Sequence, residues 1–141
     1  MEMVDISEML KSLVELYEFN QDTLSKYLGI SANQIETIIN GDVDCLPKEN
    51  TVRSKILTKI SFLYFGADES KDMKLNAFLE VLISYHNLSK STIAKMAGVE
   101  VNDIDEILSN SFDKVKLETK YKVAATVMTL RFFLKECEPP I

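Results

Sequence analysis

Residues that interrupt regular structure are scarce here: four glycines and three prolines in 141 residues, with two cysteines, one histidine and no tryptophan. So few breakers leave room for few tight turns, and beside abundant Leu, Ile, Lys and Glu they imply a mostly helical chain. No segment shows the period-two alternation of a half-buried strand. Cys45 and Cys137 lie far apart and outside metal-ligand spacing, so both are expected as free thiols of a reducing cytoplasm. His86, the only histidine, excludes a His-pair metal site and is expected at the end of a helix, partly packed. The glycines are too scattered for a phosphate loop, and Asp103, Asp105 and Glu106 do not follow a calcium-loop pattern. No catalytic residue, cofactor or metal is therefore expected, and an enzyme is not indicated.

Long apolar runs are absent too. Nothing approaches the roughly 20 residues needed to span a bilayer. The start Met1-Glu-Met-Val-Asp5 lacks the basic region and apolar stretch of a secretory signal. A cytoplasmic protein without a membrane partner is the expectation. Positive charge is short: the net charge is −6. It is uneven as well, since residues 1–69 carry six Lys/Arg against twelve Asp/Glu and residues 70–141 carry ten of each. Charge bears on steering and solubility and leaves a local positive face open.

What is present is a repeat. The stretch Leu24 to Ile39 returns as Ile93 to Leu108 at a constant offset of 69 residues, pairing Leu24 with Ile93, Gly29 with Gly98, Ile35 with Ile104 and Ile38 with Ile107. A fixed period with a preserved apolar frame means two copies of one folding unit. Domains at 1–66 and 67–141 follow, each near the lower size for an independent core. Asp5 or Ser7 can cap a first helix to about Tyr17, and Asn20 a second from Gln21 to Leu28. Gly29 supplies a left-handed turn. Ser31 and Gln34 form a capping box that opens a third helix to Asn40-Gly41, and Asn50 can cap a fourth to about Phe65. The polar segment Gly66 to Asp72 is the expected linker. Ser70 then caps a helix to Tyr85, Ser89 one to Ala97, Gly98 repeats the turn, and Val101 to Ser109 repeats the third helix. Glu118 to Glu136 is the last helix, stopped by Pro139-Pro140. It carries two apolar stripes, Val123, Val127, Leu130 and Leu134 on one side and Tyr121, Ala125, Met128 and Phe132 on the other. The second stripe is the expected homodimer interface.

Residues Gln21 to Asn40 resemble the helix–turn–helix of the lambda-repressor-like family, the phage repressor and Cro group. Gln21, Leu24, Leu28, Gly29, Ile30, Ile35 and Ile38 carry the resemblance, and Ile93, Ala94, Ala97, Gly98, Val99, Ile104 and Ile107 carry it in the second copy. Ala94 is the small residue that this family has where its two helices cross; the first copy has Ser25. The resemblance implies an all-α fold of two tandem helix–turn–helix units, the second degenerate. It also implies a small DNA-binding transcriptional regulator of phage or mobile-element type, acting as a homodimer. In that family the third helix lies in the major groove. Carried over, its exposed positions are Ser31, Ala32, Asn33, Glu36, Thr37 and Asn40, with Gln21, Lys26, Gln34, Asn50 and Thr51 as candidate phosphate or assisting contacts. Capping alone accounts for Ser31 with Gln34, and solvation for Asn33, Thr37 and Asn40. In the second copy the same positions are Glu100, Val101, Asn102, Asp105, Glu106 and Ser109, with Asp103 adjoining. Four carboxylates on one short helix oppose phosphate. The alternative expectation is therefore a protein-interaction module, an antirepressor or phage-type inhibitor, that presents Glu100, Asp103, Asp105 and Glu106 to a basic partner. Lys114, Lys116, Lys120 and Lys122 follow this helix as a solvated face or a phosphate-contacting edge.

Overall fold

The computed structural model describes residues 5–139, so the segment 1–4 and the helix stop expected at Pro140 lie outside the described residues. Among the described residues there are eight α-helices, two short 3₁₀ turns and no strand. The expected all-α class holds. The boundary between two compact units falls between Asp68 and Glu69. The first contains α1 (Ile6–Glu15), α2 (Gln21–Leu28), α3 (Ala32–Ile39) and α4 (Asn50–Asp68). The second contains α5 (Lys71–Ser84), α6 (Lys90–Ala97), α7 (Val101–Leu108) and α8 (Leu117–Leu134), with 3₁₀ turns at Phe112–Lys114 and Lys135–Cys137.

Local chemistry sets most of these boundaries. The Asp5 carboxylate accepts the Ser7 amide at 3.0 Å, and the Asn20 side chain accepts the Thr23 amide at 3.0 Å. Ser70 and Ser89 cap α5 and α6 in the same way, through the amides of Met73 and Thr92. Three turn positions have positive φ in both units, 69 residues apart: Glu18 and Asn87, Gly29 and Gly98, Gly41 and Asn110. A left-handed residue there ends a helix and satisfies its last carbonyls, as when the Gly29 amide donates to Ser25 at 2.8 Å. Where Gly41 is replaced by Asn110, the buried Asn76 donates to the Asn110 side chain at 2.6 Å. An Asn in this conformation is tolerated when its side chain is bonded.

The segment expected as a linker is mostly helix. Gly66, Ala67 and Asp68 continue α4, and Ser70 already caps α5. A glycine inside a helix costs only about 1 kcal/mol, and Gly66 does not take the left-handed turn that would end one. At the other end α8 stops at Leu134, before the expected Glu136, and tightens into a 3₁₀ turn.

Each unit has its own core. Leu10, Leu13, Leu24, Ile35, Ile38 and Ile60 are fully buried in the first, with Leu79, Leu82, Ile93, Ile104, Ile107 and Val123 in the second. Each such side chain contributes about 1.5–3 kcal/mol by leaving water. The first five in each set are 69 residues apart, but the last helices are matched at 67: Ile56 and Ile60 occupy the places of Val123 and Val127. The connection before α8, residues 109–116, is two residues shorter than its counterpart, residues 40–49. This shift places Ser54, Thr58 and Ser61 of α4 where α8 has Tyr121, Ala125 and Met128.

Candidate nucleic-acid interface

The helix pair α2–α3 is built on Leu24, Leu28, Ile30, Ile35 and Ile38, all buried, with Gly29 at φ 72° in the turn between them. At the helix crossing, the Ser25 hydroxyl donates to the Ile30 carbonyl, so this hydroxyl does not go unpaired where the second unit has buried Ala94. From α4, Lys59 reaches the Tyr27 carbonyl with Nζ at 2.9 Å, while the Tyr27 hydroxyl donates to the Lys59 carbonyl at 3.1 Å. Burial raises the Tyr27 phenol above its ordinary pKa. This lock ties the end of α2 to α4, and nothing in the sequence periodicity signals it.

Ser31, Ala32, Asn33, Glu36 and Asn40 form the solvent-facing side of α3, and Thr37 is half-buried with its hydroxyl on the Asn33 carbonyl at 2.8 Å. Gln21 lies beside them, its Nε2 donating to Glu36 at 3.1 Å. Lys26 is exposed in the last turn of α2, and Asn50 and Thr51 are exposed at the start of α4. Gln34 is different. Its Oε1 accepts the Ser31 amide at 2.9 Å, its backbone amide donates to Ser31 Oγ at 3.1 Å, and its Nε2 donates to the Cys45 carbonyl at 3.0 Å. The side chain that could assist a ligand thus anchors the α3–α4 loop to α3. Cys45 and Cys137 are both free thiols.

Charge across this region is close to balanced. Residues 20–55 hold four Lys/Arg and five Asp/Glu, so most of the unit's negative charge is carried elsewhere, chiefly by α1 and its flanks and by the end of α4. In the second unit the four carboxylates are differently occupied. Asp103 accepts the Glu100 amide at 3.0 Å, in the place of Gln34. Lys90 Nζ lies 2.6 Å from Asp105, reproducing the Gln21–Glu36 contact as an ion pair 69 residues on. Glu106 accepts from Asn102 at 3.3 Å, and Glu100, before the first turn of α7, is exposed. Lys120 pairs with Asp72 at 3.1 Å and Lys122 with Glu118 at 3.5 Å, while Lys114 and Lys116 are exposed.

A family model described as a helix–turn–helix domain matches residues 1–140. The chain belongs to this helix–turn–helix family. The match runs over both units together, and membership points to a DNA-binding regulator in general. No curated protein and no solved structure is significantly similar to the chain.

Elsewhere in this helix–turn–helix protein, Tyr121, Met128 and Phe132 are 74%, 68% and 75% exposed, and Ala125 between them is exposed as well. A second cluster ties down the C-terminal segment. Glu138 accepts from Arg131 Nε at 2.7 Å and Nη2 at 2.9 Å, and lies 2.9 Å from His86 Nε2. The Arg131 hydrogen bonds hold the Glu138 carboxyl below its ordinary range, with a smaller contribution from His86. Three stretches of the chain meet here through folding, 85–86, Arg131 and 137–138, with the Tyr85 hydroxyl donating to the Cys137 carbonyl at 3.1 Å. Among the described residues no group of His, Cys, Asp and Glu is arranged to hold a metal, and no helix is long and apolar enough to cross a membrane.

Proposed function

We propose that the protein is a small cytoplasmic DNA-binding transcriptional regulator of the lambda-repressor-like kind, of phage or mobile-element type. In this reading the first unit places α3 in the major groove, and the protein acts as a homodimer. The observation that carries it is the outer face of α3, where Ser31, Asn33 and Asn40 stand exposed and uncharged beside Gln21 and Thr37. Asn33 and Asn40 suit the paired donor and acceptor of adenine, and Thr37 offers a methyl group to thymine. Gln21, Asn50 and Thr51, at the starts of α2 and α4, suit phosphate oxygens, and Lys26 adds a cation. Glu36 opposes phosphate, and its bond to Gln21 holds both side chains in place.

A second reading is favoured by α7. It keeps the backbone of α3, keeps a carboxylate at the place of Glu36 as Asp105, and adds Glu100, Asp103 and Glu106 where α3 has Ser31, Gln34 and Thr37. This helix is a surface for a basic protein partner, and the second unit serves assembly rather than base reading. The discriminating measurement is fluorescence anisotropy with genomic fragments between about 50 and 200 mM salt, where phosphate contacts make affinity fall steeply. Joint replacement of Asn33 and Asn40 by Ala should cost at least about tenfold at a selected site. Absence of binding at the lowest salt refutes the first reading. Partner capture that survives reversal of Asp105 and Glu106 to Lys refutes the second.

A further inference from the structure

The outer stripe of α8 is spaced symmetrically about its midpoint. Tyr121, Ala125, Met128 and Phe132 are spaced by four, three and four residues, with an aromatic ring at each end and a small residue beside a flexible one in the middle. A helix laid antiparallel on itself, with a two-fold axis between positions 126 and 127, sets Tyr121 opposite Phe132 of the second copy and Ala125 opposite Met128. Each layer then joins a ring to a ring or a small side chain to a large one, which fills space evenly. The parallel arrangement would stack Ala125 on its own copy and leave a gap between bulky layers. A two-fold interface requires one patch to complement itself, and this patch does so in only one direction.

Beside the stripe, α5 and α8 leave a groove of about 390 Å³ lined by Phe78, Val127, Met128, Arg131, Phe132 and Lys135. In the antiparallel register Tyr121 of the second copy stands over Phe132, at the mouth of this groove. Leu117, 82% exposed, falls opposite position 136 of the second copy and meets the aliphatic stem of its Glu136. Covering Leu117, Tyr121, Met128, Phe132 and part of Phe78 removes roughly 600 Å² per copy, or about 1,200 Å² in all, the lower edge of stable interfaces.

We infer that α8 forms an antiparallel two-fold dimer with α8 of a second copy, in which the small residue Ala125 faces Met128 and Tyr121 closes the α5–α8 groove. This specifies the surface and direction of the homodimer proposed above, and it is tested without DNA. In a Cys45→Ser, Cys137→Ser background, Tyr121→Cys and Phe132→Cys proteins are mixed and oxidised. The mixed 121–132 crosslink is expected, and neither protein alone should crosslink, because like positions lie about 16 Å apart along the axis. Sedimentation should show a reversible dimer at tens of micromolar concentration, with Met128→Lys weakening it about 100-fold and leaving the far-ultraviolet dichroism of the monomer unchanged. A monomer at 100 μM (about ten times the expected dissociation constant) overturns the proposal. So do 121–121 crosslinks as efficient as the mixed pair. DNA binding by such a monomer leaves the reading of α3 standing, and a dimer that ignores DNA refutes that reading alone.

Discussion

Replacing Gln34 by Ala separates a structural role from a ligand-facing one. The side chain spans from the start of α3 to the Cys45 carbonyl, accepting at 2.9 Å and donating at 3.0 Å. Each bond contributes about 1 kcal/mol net, and an eight-residue helix has little stability beyond its caps and packing. Gln34→Ala should therefore lower the opening free energy of the first unit by about 2 kcal/mol. Gln34→Glu keeps the acceptor for Ser31 and loses the donor to Cys45, so about 1 kcal/mol is expected. Asn33→Ala, one residue away on the exposed face, should change stability by less than about 0.5 kcal/mol. Native-state hydrogen exchange of the Ile35 and Ile38 amides reads this directly, since both belong to the buried face of the same helix. Gln34→Ala with protection intact would refute the structural role. Loss of DNA affinity at unchanged stability would go further and return Gln34 to the contact surface.

Three other outcomes follow from the packing and titration of named groups. Glu138 has a lowered folded pKa, so its contribution is full above about pH 5 and is lost as pH falls through that lowered value. Glu138→Gln should cost about 1 kcal/mol at neutral pH, and urea midpoints of variant and wild type should converge in acid. The Tyr27 phenol has a raised folded pKa, so its contribution is present below about pH 10 and is lost as pH rises through the raised value. Ultraviolet titration should show a late phenol that disappears in Tyr27→Phe. Ile35→Ala and Ile104→Ala, equivalent and fully buried, should each destabilise their own unit by about 2–5 kcal/mol, measured by hydrogen exchange at neighbouring amides. A cost below about 1 kcal/mol at either site would show that the two frames are not equivalent.

Much of each unit was legible because caps and turns act over a few residues. Asn20, Gly29, Ser31 with Gln34, Ser89 and Gly98 occupy the positions their chemistry requires. The same local character makes the segment 66–72 resemble a linker: its small polar residues look like a break, yet only Glu69 and Ser70 lie outside a helix. The candidate reading face was legible as a set of positions. Which of those side chains are free was not, since Gln34 is engaged by a carbonyl 11 residues away and Gln21 by a carboxylate 15 residues away.

By itself the sequence determined the duplicated frame, because burial of apolar residues at helical spacing leaves one arrangement per unit and the spacing is written twice. It also determined the chemical contrast between the two outer faces, mostly neutral with the single carboxylate Glu36 on α3 and largely acidic on α7. Only the tertiary structure decided how α4 and α8 seat against those frames, two residues out of the period, since a loop's length matters only once its ends are packed. It also decided which polar groups are held within the fold and which remain for a partner. Contacts such as His86 on Glu138 and Tyr85 on the Cys137 carbonyl join residues 52 apart in the chain, and no local rule sums over such separations.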